Sequence, residues 1–343
     1  MVIQENISLK SFNTFGINAK ARYFSTFSDV DELEELLHAY PQYPLFILGG
    51  GSNILFTKDF NGLVLKNEIK GVDEMHEDQN YVYVKAGAGE IWHRFVLHCI
   101  NNNWAGLENL SLIPGNVGAS PMQNIGAYGV ELQDVFYCLE AFHRQEKKIL
   151  TFTSSDCEFG YRESVFKRKY KDQFIILNIT LKLRKHPIFH IEYGTLKQEL
   201  ERMGVKELSI RSISQAVINI RKSKLPDPKD LGSAGSFFKN PVITKSKFDA
   251  LKEKFPGIPS FSSREDRVKI PAGWLIEHCG PEKTESGWKG FRRGDAGCYS
   301  KQALVLVNYG NAVGQDIFNL SEEITASVKS KFGITLEREV NII

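Results

Sequence analysis

The stretch that most restricts this chain runs from residue 106 to 132 and reads GLENLSLIPGNVGASPMQNIGAYGVEL. Its five glycines and two prolines work against regular helix or strand. Yet it keeps Leu107, Leu110, Ile113, Val117 and Ile125, where a flexible linker would be polar. An irregular segment this apolar is predicted to be ordered and buried. Its glycines then mark places where backbone comes close to another backbone or to a ligand. A second stretch, PLFILGGGSNILF at 44–56, reads as strand, glycine turn, strand. Three consecutive glycines let neighbouring N–H groups face one anion. A Rossmann site would need GxGxxG opening a helix, whereas Gly51 is followed by the β-like SNILF. The turn therefore predicts a diphosphate held between strands, with an unliganded hairpin as the plainer alternative. Two such loops in one half of a chain suit a large cofactor with a diphosphate and a flat ring, as in flavin adenine dinucleotide (FAD).

The elements around these loops are of both kinds. Residues 28–39 (SDVDELEELLHA) predict a helix, with a capping Ser or Asp ahead of Leu33, Leu36 and Leu37. Residues 91–101, 196–203, 212–222 and 317–332 also read as helices. Strands are predicted at 62–65, 81–85, 136–141, 174–183, 303–308 and, to close the chain, 334–343. Residues 232–240 read as a glycine-rich turn. At 343 residues the chain exceeds one simple core. Lys185-His186-Pro187 is the expected division, giving residues 1–187 (two parts, about 1–70 and 71–187) and 188–343, with the last strand, about 335–343, packing back on the N-terminal part. The fold class is α+β.

Composition removes several functions. A net charge of +2 demands no broad nucleic-acid surface. Five cysteines, an odd count with no CxxC pair, argue against a disulfide framework or a zinc knuckle and fit a reducing cytoplasm. The N-terminal MVIQENISLKSF lacks an apolar signal core, and no apolar run reaches spanning length. No HExxH is present, and no metal site is expected. His93 and His98, five apart on one helix, read as structural or surface residues, and Cys279 and Cys298 as buried bystanders.

Polar chemistry gathers in two places. GYRES sets Arg162 beside Tyr161, and a planar guanidinium can grip a carboxylate through two hydrogen bonds. A surface pair with Glu163 is the alternative. The run RKSKLPDPKDLGSAGSFFKNP, 221–241, sets Lys224 before a Pro-Asp-Pro turn and Ser236 between Gly235 and Phe237. A hydroxyl there can be shielded from water and still reach a ligand, or simply cap a turn. No GxSxG elbow or triad spacing supports a hydrolytic serine.

Six motifs in order, LKSFNTFGI, LGGGSNILF, IPGNVGASPMQNIGAYGVELQDV, FGYRES, KLPDP and AGSFFKNP, resemble the UDP-N-acetylenolpyruvoylglucosamine reductases over about residues 13–340. The resemblance implies a two-part FAD-binding fold like the vanillyl-alcohol-oxidase flavoproteins, plus a C-terminal α+β substrate-binding domain. It implies non-covalent FAD, NADPH as co-substrate, and reduction of UDP-N-acetylglucosamine enolpyruvate to UDP-N-acetylmuramate for peptidoglycan precursors. By position, Ser236 resembles the proton donor, Glu339 the second catalytic acid, and Arg162 the residue on the substrate carboxylate. Tyr193, Lys224, Asn240 and Gln302 resemble substrate contacts, with Tyr193 on a closing loop. Gly49, Gly50, Gly51, Ser52, Asn53, Ile113, Pro114, Gly118, Ala119, Ser120, Ile125 and Gly126 resemble the cofactor contacts. Three departures stand out: Asp295–Tyr299 where an apolar run is expected, Asn341 where Arg is expected near Glu339, and Ala119 for a frequent Ser. The protein is expected to be cytoplasmic and monomeric, without nucleic-acid or membrane partners. An FAD oxidase or dehydrogenase of a small alcohol or hydroxy acid is the competing enzyme reading, and a non-enzymatic UDP-sugar binder the other.

Overall fold

The first half of the chain builds a four-stranded and a five-stranded sheet, with a short two-stranded ribbon, Gly126–Ala127 and Val130–Glu131, in the glycine-rich loop. The computed structural model describes residues 2–262, 266–281 and 287–343. The chain divides into two compact units, Met1–Ile7 with Ala21–Gly51 and Asn61–Ser223, and Ser8–Lys20 with Ser52–Phe60 and Lys224–Ile343.

In the first unit, strands Gln4–Ser8, Lys20–Phe27, Phe60–Asn67 and Leu45–Leu48 lie side by side in that order. The last two run parallel, with Leu45 opposite Leu63. A parallel pair needs a crossover, and the connection is residues 49–59, which open with the glycine turn. Helix Val30–Ala39 starts where Asp29 accepts the Glu32 N–H at 2.8 Å. It buries Leu33 and Leu36 against Phe27, Leu63 and Leu65.

The larger sheet orders Lys148–Thr153, Phe136–His143, Phe174–Arg184, Tyr81–Gly87 and Val72–Glu77, all antiparallel. Helix Trp92–Asn101 covers it, burying Trp92, Phe95, Val96, Cys99 and Ile100. That i, i+3, i+4, i+7, i+8 stripe is the period a half-buried helix needs. Each large side chain buried there contributes about 1.5–3 kcal/mol. The irregular 106–132 stretch supplies Leu107, Leu110, Val117, Val130 and Leu132 to the same core.

Segment 188–223 belongs to this compact unit. The reason is apolar. Leu196, Leu200, Ile213, Val217 and Ile220, on helices Leu196–Arg202 and Ile210–Lys224, form a cluster with Tyr128 and Phe189 packed against it.

The second unit carries a four-stranded sheet, Gly232–Ser236, Val305–Asn308, Ala296–Cys298 and Arg292–Arg293, and a three-stranded one, Val242–Thr244, Arg267–Lys269 and Phe261–Ser262. Helix Gly314–Phe332 buries Ile317, Leu320, Ile324 and Val328, and ends on Gly333 at φ +64°. That is a left-handed cap which glycine adopts without strain. The predicted turn at 232–240 is thus a strand over its first half. The predicted closing strand is regular only at Asn341–Ile342, which pairs in parallel with Ile54–Leu55. Residues 272–278, apolar but unassigned in the sequence, form helix Ala272–Glu277. Strands Lys20–Phe27, Val72–Glu77 and Lys148–Thr153 and helix Lys245–Lys254 carried no signal strong enough to predict.

Candidate active site

Three backbone segments of the first unit converge. The turn at 86–90 (AGAGE) and the loop at 113–118 are joined by Gly118 N–H to Ala88 O (2.9 Å), Val117 N–H to Glu90 O (2.8 Å) and Asn116 Nδ2 to Gly89 O (3.0 Å). Their approach is so close that a Cβ on Gly118 would sit 2.5 Å from Ala88 Cβ. The glycine turn meets the same loop, since a Cβ on Gly50 would lie 2.7 Å from Gly115 Cα. Gly51, at φ +63°, supplies the left-handed residue that a nest of N–H groups requires. Of the predicted cofactor residues, Gly49, Gly50, Gly51, Ile113, Pro114, Gly118, Ala119, Ser120, Ile125 and Gly126 lie in this unit. Glycine backbone meeting at one place, with polar main-chain groups rather than charged side chains, is a donor set that fits an FAD diphosphate and ring. Ser120 is buried, and its hydroxyl donates to Val117 O at 2.6 Å, so it serves the loop's own fold.

Beyond this loop the unit presents Arg162. Its Nη2 donates to Gly126 O at 2.6 Å, and its guanidinium carbon lies 5.4 Å from the Tyr161 ring centre. Arg162 holds φ +55°, a left-handed conformation uncommon outside glycine and sustained only when surroundings enforce it. Tyr193, 41% exposed, packs over Gly129, whose absent Cβ would stand 3.4 Å from Tyr193 Cβ. Its ring meets Tyr128 edge-on at 6.5 Å. Burial raises the Tyr193 phenol pKa, and the Arg162 charge opposes that. So the structure brings Arg162 and Tyr193 together. It also adds Arg221, which the sequence did not single out: its Nε donates to Leu112 O at 3.2 Å. Desolvation pulls the Arg221 pKa below the usual guanidinium range. The AGAGE turn was the other omission. Small residues between a strand and a helix were a legible signal for it.

In the second unit Ser236 ends its strand opposite Val305, one residue after Gly235 at φ +69°. The tail runs alongside. Phe237 O accepts the Glu339 N–H at 2.8 Å, and Glu337 O accepts the Lys239 N–H at 2.9 Å. The Glu339 backbone is thereby fixed beside the Phe237-Phe238 peptide. Asn53 secures the same tail, donating from Nδ2 to Glu339 O (3.2 Å) while its carbonyl accepts from Asn341 Nδ2 (3.0 Å). Asn341, the residue standing where Arg was expected, thus acts on the backbone of 53. Asn53 is employed in folding, and Ser52 adjoins it. Asn240 Oδ1 accepts the Ala272 N–H at 2.8 Å, and Gln302 Oε1 stands 3.0 Å from where a Cβ of Gly273 would be. Both therefore border the start of helix Ala272–Glu277. Lys224 is exposed at the end of its helix. The unusual 295–299 run forms a hairpin, Asp295 accepting from Arg292 Nη2 (2.9 Å) and Asn311 N–H (3.0 Å). Burial pushes the Cys298 thiol up to about 12, which leaves it unreactive. No cluster of metal-ligating side chains occurs among the described residues.

A family model for the C-terminal domain of UDP-N-acetylenolpyruvoylglucosamine reductase matches residues 227–343, and one for an FAD binding domain matches residues 21–143. The reductase of Flavobacterium johnsoniae is 51% identical over the whole of both chains. The chain belongs to the UDP-N-acetylenolpyruvoylglucosamine reductase family. The reductase of Amoebophilus asiaticus, 49% identical over the whole of both chains, agrees. The crystal structure of the Thermus caldophilus reductase shares the fold, with a TM-score of 0.68 at 23% identity, covering 100% of this chain and 99% of that one. The α+β class and an FAD-binding first half followed by the reductase C-terminal domain are thereby shown. No helix among the described residues is long and apolar enough to cross a membrane.

Proposed function

We infer that the chain performs its family's reaction, the NADPH-dependent reduction of UDP-N-acetylglucosamine enolpyruvate to UDP-N-acetylmuramate in peptidoglycan synthesis. The observation that supports the assignment of residues is the backbone pairing of Glu339 with Phe237, which runs the tail carrying Glu339 alongside the segment carrying Ser236. Bound FAD would supply hydride transfer between NADPH and the substrate. The residues expected to hold it are 49–53, 113–114, 118–120 and 125–126.

The remaining chemistry belongs to side chains. The substrate double bond is an electron-rich enol ether, which accepts hydride at its terminal carbon only if its carboxylate can take up the charge. Arg162 is assigned to that carboxylate. Its enforced left-handed backbone and its bond to Gly126 O support a preorganised guanidinium. A donor aimed where charge develops lowers the barrier, and removing one costs about 3 kcal/mol. Ser236 is assigned to protonate the adjacent carbon, completing addition of one hydride and one proton. A hydroxyl is a weak acid in water, so this role requires exclusion of water around it. Glu339 is assigned to donate a hydrogen bond to the reacting carboxylate when protonated, or to position a cation when ionised. Tyr193, Lys224, Asn240 and Gln302 are assigned to the UDP end. Residues 188–343 serve the substrate on this reading, and the protein works as a cytoplasmic monomer with no nucleic-acid or membrane partner.

The test is anaerobic. NADPH should bleach the yellow holoenzyme, and UDP-N-acetylglucosamine enolpyruvate should restore its colour with stoichiometric saturated product. Recolouring by oxygen or a small carbonyl compound, with the enolpyruvyl substrate inert, would sink the assignment.

A further inference from the structure

Leu112 opens the cofactor loop with an uncommon backbone, φ +59°. A bulky L-residue held there costs on the order of 1–3 kcal/mol and persists only where its neighbours enforce it. Here they do so from both sides of the residue. His93, on helix Trp92–Asn101, accepts the Leu112 N–H through Nδ1 at 3.0 Å. Arg221, on helix Ile210–Lys224, donates to the Leu112 carbonyl at 3.2 Å. The flanking residues are pinned as well. Trp92 Nε1 donates to Leu110 O at 3.0 Å, Ser111 and Ser214 share a buried hydroxyl bond of 2.7 Å, and Trp92 N–H donates to Gly115 O at 3.0 Å. Two helices thus hold residues 110–115, and the loop that follows meets the glycine turn at Gly50.

We propose that His93 is a positioning residue for the cofactor, its neutral Nδ1 locking the left-handed Leu112 so that the 113–120 loop keeps its binding shape. This rests on the FAD reading above. The tautomer follows from the geometry. An Nδ1 that accepts a hydrogen bond carries no proton, so the ring proton sits on Nε2. An imidazolium has no acceptor and cannot make the bond. The charged groups facing His93 are Arg221 and Lys222, both on helix Ile210–Lys224. Desolvation first, and then those two cations, lower its pKa below that of a free imidazole. The sign follows. His93 is neutral near neutrality, so the bond is present there. It is lost as pH falls through the depressed folded value, where the site takes up a proton. Cofactor affinity should then decline about tenfold per pH unit below that value, one proton being linked to release.

The experiment follows FAD leaving the holoenzyme, by the fluorescence of freed flavin, against pH for three proteins. Wild type should retain FAD at neutral pH and lose affinity on the acid side. His93→Asn places an oxygen acceptor near the Nδ1 position without a titrating group. It should keep neutral-pH affinity and flatten the acid limb. His93→Phe keeps ring volume but removes the acceptor, and should weaken FAD at every pH by roughly 5- to 150-fold. An acid limb in His93→Asn as steep as in wild type would overturn the proposal, as would wild-type retention by His93→Phe. Because His93→Asn is compared at matched unfolding temperature, a general loss of fold does not imitate either result. A wild-type protein that never binds FAD would instead refute the cofactor reading itself.

Discussion

Two adjacent glycines of one motif should respond differently to the same substitution. An alanine Cβ at Gly50 would fall 2.7 Å from Gly115 Cα, 2.9 Å from Asn116 Oδ1 and 3.1 Å from Gly115 C. None of these atoms can yield cheaply. Gly115 is backbone, its carbonyl bound by Trp92 N–H, and the Asn116 amide is committed to Gly89 O. The turn and the loop must therefore separate. Overpacking of this kind costs about 1–3 kcal/mol, and each kcal/mol moves the midpoint by roughly 1–2 °C at this size, so Tm should fall by roughly 1–6 °C. At Gly49 the same Cβ would meet Asn116 Cβ at 3.8 Å and Ala119 Cβ at 3.9 Å, ordinary contact. Gly49→Ala should keep Tm within about 1 °C. The assay is thermal unfolding of the two apoproteins by circular dichroism at one scan rate, with flavin content of the purified proteins as a second readout. Equal shifts at the two positions, or a Gly50→Ala apoprotein as stable as wild type, would refute the reasoning. A Gly49→Ala protein of normal Tm that has lost its flavin would instead report a ligand seated against that Cα.

The catalytic assignments separate by step. Ser236→Ala should leave flavin bleaching by NADPH nearly normal and slow recolouring by the enolpyruvyl substrate by several orders of magnitude, with partial recovery in Ser236→Cys; stopped-flow absorbance checks this, and wild-type recolouring with saturated product would make Ser236 a structural residue. Arg162→Ala should slow hydride delivery itself, by about 3 kcal/mol or roughly 150-fold; an unchanged single-turnover rate would move the substrate carboxylate elsewhere. Lys224→Ala, at an exposed position where the fold has little at stake, should lose a charge-assisted contact of roughly 1.5–3 kcal/mol and raise the substrate KM more than tenfold; an unchanged KM with full flavin content would exclude Lys224 from the UDP end.

Local pattern settled much of this protein before any coordinates. The Asp29 cap, the apolar stripe of Trp92–Asn101 and the strand–glycine–strand of 45–55 are each written within a dozen residues, because capping and periodicity are short-range physics. The six ordered motifs likewise carried the family. The tertiary structure decided what such patterns cannot encode, namely partners distant in sequence. Residues 232–236 are poor in strand formers, yet they extend because Val305–Asn308 offers a buried apolar ladder to pair with. The tail at 337–342 contains little regular strand, and its course is set by Phe237, Asn53 and the Ile54–Leu55 pair. Segment 188–223 joins the first unit because its apolar helix faces pack with Tyr128, a contact invisible in the composition around residue 187. His93 and Arg221 illustrate the same limit: a histidine on an apolar helix and an arginine in a basic run look structural and solvated, and only folding brings both onto the main chain of Leu112. Propensity acts between near neighbours, whereas a hydrogen bond across a hundred residues exists only once the core has fixed both ends.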